Sequence, residues 1–266
     1  MTSFSTFQGY RDSQRSFEQT QNCGVDASNS TIGRARDCFR NLSLSAGSIP
    51  STAVAPDSTT AGAIEIVNAG SGKLVVTGAN LSTNASSTSL ILCDRLSHQG
   101  GLSANVTTAQ TTNLPTAALT RYTDGAGVLI GISVYTANSS TVSTISVSYT
   151  NQAGVSGRTT PAQDLAPTAQ RLMWLPFQSG DSGVRSVESV TVSTATGTAG
   201  NLGVTLFKPI CGFELRGIGY NNQCDLFSNS MFGGIEEIKD NACLFWVSFA
   251  PSTLYSHFGF VNFAEI

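Results

Sequence analysis

Gly180-Asp181-Ser182-Gly183 is the segment that most resembles a catalytic motif, because chymotrypsin-like serine proteases place their nucleophile in the same four residues. That chemistry needs a histidine base, an orienting aspartate and a further glycine for the oxyanion loop. Val184 follows the tetrapeptide, and neither His98 nor His257 has the sequence surroundings of that catalytic base. The four residues are also strong turn formers, so the sequence favours a turn.

Cys93 and His98 are a second candidate for a reactive site, because a thiol and a nearby imidazole can form part of a nucleophilic or metal-binding site. No second histidine or carboxylate cluster lies nearby in the sequence, so we predict a core cysteine and a loop histidine. His257 lies in an aromatic segment and is predicted to be a core or interface histidine. Gly70-Ser71-Gly72-Lys73 lacks the spacing of a phosphate-binding loop and predicts a hairpin turn.

Carboxylates and tryptophans complete the inventory of reactive or ligand-binding side chains. Asp164, Asp181 and Glu188 are scattered rather than paired on one strand face. Trp174 and Trp246 are too few to predict a polysaccharide site. We therefore predict no catalytic residues, no metal and no cofactor.

Composition narrows the possible partners. Only 12% of the 266 residues are charged, about half of the usual globular fraction. Serine and threonine supply 65 residues and glycine 26, so hydroxyl groups and backbone make most of the polar surface. The net charge of −3 leaves no basic surplus for phosphates, so no nucleic-acid partner is expected. Lysine occurs three times, and because interfaces are depleted of lysine, this scarcity favours a surface that other subunits cover.

Hydropathy and cysteine usage bear on the compartment. Mean hydropathy is near zero and no apolar run approaches the roughly 18 residues of a transmembrane helix, so no membrane partner is predicted. Residues 1–10 lack the basic and apolar regions of a secretory signal. The cysteines are widely spaced without a Cys-x-x-Cys pair, so we expect buried, reduced thiols rather than disulfides or zinc ligands. They are Cys23, Cys38, Cys93, Cys211, Cys224 and Cys243.

Residues 1–60 are predicted to form an extended N-terminal arm, with one short helix around Thr31–Asn41. Arginines and acids balance there, and no apolar stripe persists long enough to build a core. Isolated aromatic side chains need a surface to bury them, and we favour a neighbouring subunit over the chain's own body. The predicted interaction residues are Phe4, Phe7, Tyr10, Phe17, Arg11 and Arg15.

Residues 61–210 show the period-two alternation of β-strands. In Val128–Tyr135, Val142–Thr150 and Leu202–Leu206, apolar residues alternate with small or polar ones, which predicts antiparallel strands with one face in a core and one in water. Gly-, Asn- and Asp-rich turns separate the segments. Residues 211–266 contain Cys243–Phe249 and Leu254–Phe263, predicted as strands that close the body or pack on a neighbour. The predicted fold is all-β, with a β-sandwich or jelly-roll-like body and an extended N-terminal arm.

The middle of the chain resembles virion structural proteins of tailed bacteriophages over roughly residues 115–210. The segments that carry the resemblance are Tyr149–Gly154, Gly157–Pro161, Leu175-Pro176, Gly180–Val187, Ala195–Asn201 and Val204–Leu206. The resemblance implies a non-enzymatic head component of the decoration or cement type.

The expected function is therefore to bind a phage capsid and to reinforce it by bridging capsid proteins. The expected state is a homo-oligomer located in the virion after assembly in the host cytoplasm. Alternatives are a tail, collar or fibre-attachment subunit, a carbohydrate-binding host-recognition module, and a hydrolase. Clustered exposed aromatic residues in a cleft would favour the carbohydrate-binding module, and a serine or cysteine within hydrogen-bond reach of a histidine would favour the hydrolase.

Overall fold

The computed structural model describes residues 14–21, 35–39, 47–83, 87–167, 169, 171–216, 222–225, 236–249 and 257–265. These residues contain strands and no helix, and about half of the chain is strand, so the predicted all-β class is confirmed. The strands are β1 (Gln14–Gln21), β2 (Ala35–Asp37), β3 (Leu74–Thr83), β4 (Ser87–His98), β5 (Leu129–Thr136), β6 (Thr144–Asn151), β7 (Arg158–Thr159), β8 (Gln163–Asp164), β9 (Arg171–Trp174), β10 (Val184–Val192), β11 (Asn201–Arg216), β12 (Asn222–Asp225), β13 (Glu237–Ile238), β14 (Leu244–Phe249) and β15 (His257–Glu265).

A closed barrel lies at the centre of the fold, with the strand order β11-β4-β14-β2-β9-β5. The 16-residue β11 closes it, because its first half pairs with β5 and its second half with β4. Two further sheets accompany the barrel. The β3 sheet has the order β1-β15-β3-β12 with β13 also on β3, and the β6 sheet has the order β10-β6-β7 with β8 also on β6. The jelly-roll connectivity of the body stays a prediction.

Three apolar clusters hold these layers together, and the long strands β4 and β11 contribute to all three. Side chains on one side of β5, such as Ile130 and Ile132, pack with β6 and β10. Leu129, on the other side of β5, packs with the barrel interior around Phe207 and Phe245. A third cluster joins β4, β11 and β14 to the β3 sheet.

The prediction that the second face of each alternating strand lies in water is wrong for β5 and β11. Ser133 and Thr205 are buried, because these faces line the interior of the barrel while the opposite faces are covered by the β6 sheet. The prediction is confirmed for β6, where Ile145, Val147 and Tyr149 are buried and the intervening residues are half-exposed.

Two pieces of the predicted N-terminal arm form strands of the sheets. β1 pairs antiparallel with β15, so that Arg15 lies opposite Phe263 and Phe17 opposite Val261. The predicted helix around Thr31–Asn41 is wrong over Ala35–Asp37, which is a buried barrel strand. Among the predicted interaction residues, Phe4, Phe7, Tyr10 and Arg11 lie outside the described residues.

Candidate functional site

The outer side of the β6 sheet carries a ladder of hydroxyl groups. Register places Ser146 opposite Thr191, Ser148 opposite Ser189, and Thr150 opposite Ser186. All six are half-exposed, whereas the residues between them form buried apolar pairs on the inner side, including Val147 with Val190. This alternation defines the hydroxyl face: Ser146, Ser148, Thr150, Ser186, Ser189 and Thr191.

The charged residues of β10 are held by hydrogen bonds within the chain. Arg185 and Glu188 are the extra residues of two β-bulges in the pairing of β10 with β6. The hydroxyls of Ser148 and Thr150 donate to the two carboxylate oxygens of Glu188. The Arg185 guanidinium donates to the carbonyl oxygen of Gln152 at 2.7 and 3.0 Å. The carboxylate of Glu188 is therefore the acidic group of the hydroxyl face, and two of the six hydroxyls hold it in place.

Asp181 ties the turn before β10 to β6 and β7. Its carboxylate accepts hydrogen bonds from Arg158 Nε at 2.8 Å, Tyr149 Oη at 2.7 Å and Asn151 Nδ2 at 2.6 Å. The bond from Arg158 is the main cause that lowers the pKa of Asp181 to about 2. Burial, with the bond to Asp181, raises the pKa of Tyr149 to about 12.

The predicted turn is confirmed over Gln178–Asp181, where the amide of Asp181 donates to the carbonyl oxygen of Gln178 at 3.1 Å. The amides of Ser182 and Gly183 both donate to Oε1 of Gln152, at 3.0 and 3.2 Å. A Cβ atom on Gly183 would lie 1.9 Å from the carbonyl oxygen of Gly125, so only glycine fits there. Ser182 is therefore a residue that joins the turn to Gln152.

Both histidines are buried, in different parts of the fold. His98 is the last residue of β4 rather than a loop residue, so that prediction is wrong, and its ring meets Phe39 edge-on at 5.3 Å. Burial lowers the pKa of His98 to about 3. His257 is buried on β15, as predicted, and burial lowers its pKa to about 4.

Ser248 and His257 form the serine–histidine contact by which a hydrolase would be recognised. Ser248 Oγ lies 3.2 Å from His257 Nε2 and 3.4 Å from Thr88 Oγ1. Ser248 is 0% exposed and His257 is 2% exposed, so solvent and a substrate carbonyl are kept from both atoms. The pair packs β14 against β15 and gives no accessible nucleophile.

An ion pair in the barrel interior was missed by the sequence analysis. Arg95 donates to Asp37, and its guanidinium lies between the rings of Phe39 and Phe245, 4.3 and 4.2 Å from their centroids. Ser133 donates to the same carboxylate at 3.3 Å. The available signal was the dipeptide Asp94-Arg95 inside the apolar run Leu90–Leu96.

Asp94, the neighbour of Arg95, pairs with Arg121. The two groups form a bidentate pair with both N–O distances at 2.8 Å. Arg121 also donates to the carbonyl oxygens of Pro56 and Arg95, and the amide of Cys243 donates to Asp94. The bonds from Arg121 hold the segment around Pro56 against the outside of β4. Together with the amide of Cys243, Arg121 also satisfies the hydrogen-bonding capacity of the buried Asp94 carboxylate.

The acidic, thiol and imidazole side chains are scattered through the described ranges. Within them, no group of three or more His, Cys, Asp or Glu side chains is arranged to hold a metal ion. The same ranges contain no helix of the length and apolarity needed to cross a membrane. Cys93 and Cys243 are buried thiols, and burial raises the pKa of Cys243 to about 12 and that of Cys93 well above its usual range.

Comparisons with known proteins give weak likenesses. No family model and no curated protein matches the chain. A structure of the infectious bursal disease virus Gt strain is 9% identical, with a TM-score of 0.21 over 95% of this chain and 81% of that chain. The VP2 subviral particle of infectious bursal disease virus is also 9% identical, with a TM-score of 0.13 over 96% of this chain and 42% of that one. Likenesses this weak do not establish a shared fold.

Proposed function

We propose that the chain is a non-enzymatic virion structural protein that binds a phage capsid and reinforces it by bridging neighbouring capsid proteins. The hydroxyl face is the observation that carries this proposal. It offers three cross-strand hydroxyl pairs, and the two charged side chains next to them, Arg185 and Glu188, are held by hydrogen bonds within the chain.

Desolvation explains why such a face suits permanent attachment. Burying an ionised side chain costs several kcal/mol unless a partner compensates it. Hydroxyl groups cost less to bury and form hydrogen bonds in either direction with a partner surface. A specific interface needs about 1,600 Å² in total, and repetition over a symmetric shell multiplies weak contacts by avidity.

The N-terminal segment is proposed as the second contact with the shell. Phe4, Phe7 and Tyr10 precede β1, and Phe17 lies on it. Burial of each aromatic side chain on a neighbouring subunit would contribute about 1.5–3 kcal/mol. Arg11 and Arg15 would add hydrogen bonds to carboxylates or carbonyls on the same neighbour. The proposed partners are capsid proteins and further copies of this chain, in a virion assembled in the host cytoplasm.

Binding to shells that lack the protein tests the hydroxyl face. In the variant Ser146→Lys/Thr191→Lys, which avoids the hydroxyls that hold Glu188, two charges would have to be desolvated on binding, so we expect at least about a tenfold loss of affinity. The matched control is Ser140→Lys, which places a charge on an exposed loop serine outside the face. Equal binding by the face variant and the control would refute a role for the hydroxyl face.

Averaged images of intact particles distinguish the shell from a tail, collar or fibre position. Density on the shell at capsid-subunit junctions supports the decoration role, and density confined to the tail or collar refutes it. A panel of ester and peptide substrates tests the absence of catalysis. Turnover that disappears in Ser248→Ala or Ser182→Ala would identify a hydrolase instead.

A further inference from the structure

The hydroxyl face carries a carboxylate among its hydroxyls, that of Glu188. Glu188 is the extra residue of a β-bulge and is half-buried. Its two carboxylate oxygens accept hydrogen bonds from Ser148 Oγ at 3.0 Å and from Thr150 Oγ1. Both donors lie on β6, so the carboxylate is held against the neighbouring strand, between the second and third hydroxyl pairs of the face.

This carboxylate keeps hydrogen-bonding capacity for a partner. A carboxylate group offers about four acceptor positions, two on each oxygen. Each oxygen of Glu188 uses one position in its contact with Ser148 or Thr150. One position remains on each oxygen, and two parallel N–H groups of a guanidinium can bind one oxygen each.

The cations nearest to Glu188 along the strands are bound elsewhere. Arg185, three residues earlier on β10, donates to the carbonyl oxygen of Gln152. Arg158 on β7 pairs with Asp181 at 2.8 Å. Among the ion pairs formed by the described residues, none includes Glu188. Its charge is therefore not balanced by a cation in that part of the chain.

A second carboxylate lies at the edge of the same side of the sheet. Asp164 on β8 is opposite Thr144, which lies two residues before Ser146 on β6. Period-two alternation therefore puts Asp164 on the side of the hydroxyl face, where it is exposed. The two carboxylates on this side complement a basic partner surface.

Contact with a partner would remove water from Glu188. An ionised group that loses its water without gaining an opposite charge opposes binding strongly, so a stable contact requires a cation on the partner. Arginine suits this position better than lysine, because its planar guanidinium has parallel donors and is more weakly hydrated. Arginine is also enriched at interfaces, whereas lysine is depleted.

We propose that the capsid protein that covers the hydroxyl face presents an arginine to Glu188, whose two carboxylate oxygens each accept one hydrogen bond from the guanidinium. Ser148 and Thr150 hold the carboxylate in place for this contact. The inference rests on the proposed function, because it names the chemistry of the capsid surface that the hydroxyl face contacts.

Removal of the charge at Glu188 is the first half of the test. Glu188→Gln keeps the length of the side chain, and the hydroxyls of Ser148 and Thr150 can bond to an amide as well as to a carboxylate, so the variant should stay folded. Its affinity for shells that lack the protein is expected to fall about tenfold or more. Asp240→Asn, which removes an exposed carboxylate outside the face, should bind like the unchanged protein. Equal binding by the two variants overturns the inference.

Chemical modification of the shells identifies the cation. Shells treated with phenylglyoxal, which blocks arginine, should bind the unchanged protein about tenfold more weakly, whereas shells with acetylated lysines should bind it as before. Glu188→Gln should lose little further affinity for phenylglyoxal-treated shells, because the same contact is already absent. The inference is overturned if lysine acetylation has an effect equal to or larger than that of phenylglyoxal, or if the losses from phenylglyoxal and Glu188→Gln are additive. Failure of the unchanged protein to bind untreated shells refutes the proposed function itself, and the inference with it.

Discussion

At the scale of single residues, Arg95 shows how the barrel accommodates a charge in an apolar interior. Its guanidinium is covered by the rings of Phe39 and Phe245, and its hydrogen bonds go to Asp37 and to Thr205 at 3.4 Å. Desolvation offsets much of the attraction in such a pair, so its net contribution to stability is small. Loss of one partner alone lowers stability strongly, because the other charge then stays buried without compensation.

We therefore expect Arg95→Met to lower the free energy of unfolding by about 3–5 kcal/mol, since the Asp37 carboxylate would be left buried without its partner. Urea denaturation followed by circular dichroism measures this loss. Lys73→Met, which removes a largely exposed cation, should change stability little. The double variant Asp37→Leu/Arg95→Met should recover part of the loss, and a double variant no more stable than Arg95→Met would contradict this account.

Asp181 provides a pH-dependent prediction. Its pKa is about 2 in the folded protein against an ordinary value of 3.8, so its contribution to stability is complete above about pH 4 and is lost as the pH falls through about 2. Asp181→Asn should therefore be less stable than the wild type at neutral pH, and the difference should shrink between about pH 4 and 2. Thermal unfolding across this range measures it, with Asp240→Asn as the exposed control.

The buried histidines add a separate pH dependence. His98 and His257 have lowered pKa values in the folded protein, so stability falls as the pH drops below their unfolded value of about 6.5. This loss is common to the wild type and Asp181→Asn, so the comparison between the two proteins isolates Asp181. A constant difference between them from pH 7 to pH 2 would show that the carboxylate charge is not involved.

At the scale of strands, β2 is the element on which barrel closure depends. It has three residues, yet it bridges β14 and β9 and is followed by Phe39 in the barrel interior. Its Asp37 also provides the partner of Arg95. The short β2 is thus a strand of the barrel wall, and it also contributes the buried carboxylate of Asp37.

Two truncated proteins test this role. A chain of residues 35–266 keeps β2 and loses β1, and it should stay folded and rich in β-structure. A chain of residues 61–266 lacks β2, Asp37 and Phe39, so it should unfold or aggregate, because Arg95 loses its partner and the interior loses an aromatic ring. Circular dichroism and size-exclusion chromatography distinguish the outcomes. A folded 61–266 chain would show that the body begins after β2.

The strands themselves were largely predictable, and the closure of the barrel was not. Alternation predicted β5, β6 and the alternating apolar residues of β11, because a period-two pattern indicates which residues share one face of a strand. Alternation does not say what covers a face, so the small and polar side of β5 was assigned to water instead of to the barrel interior. β2 is too short to show any period, and its partners are distant in the sequence.

The candidate sites were predictable to a smaller extent. The turn at Gly180–Gly183 was predicted from its residue types, but the role of Asp181 depends on Arg158 and Tyr149, whose approach is a product of strand register. The serine and threonine content predicted a surface rich in hydroxyl groups, but it did not predict where on the fold the hydroxyl face would lie. The contacts of Glu188 with Ser148 and Thr150 depend on a β-bulge, which no local pattern reveals.

At the scale of the whole molecule, burial should control the chemistry of the thiols. Cys93 and Cys243 have raised pKa values because they are desolvated in the core, and the thiolate is the reactive form. We expect alkylation of both to be slow in the native protein and rapid in denaturant. Mass spectrometry after alkylation without reductant should find six labels on the denatured chain, and fewer labels would reveal disulfides. Rapid labelling of Cys93 or Cys243 under native conditions would contradict their burial.

The order of the barrel strands also determines when the protein can begin to fold during its synthesis. β2 is made early and β14 late, yet the two are neighbours, and β15 pairs with β1 in the same way. A nascent chain that has reached β11 therefore carries β4 without β14, its neighbour in the barrel wall. Such long-range pairing slows folding and exposes strand edges to aggregation. Because β14 ends at Phe249, almost the entire chain must leave the ribosome before the barrel can close.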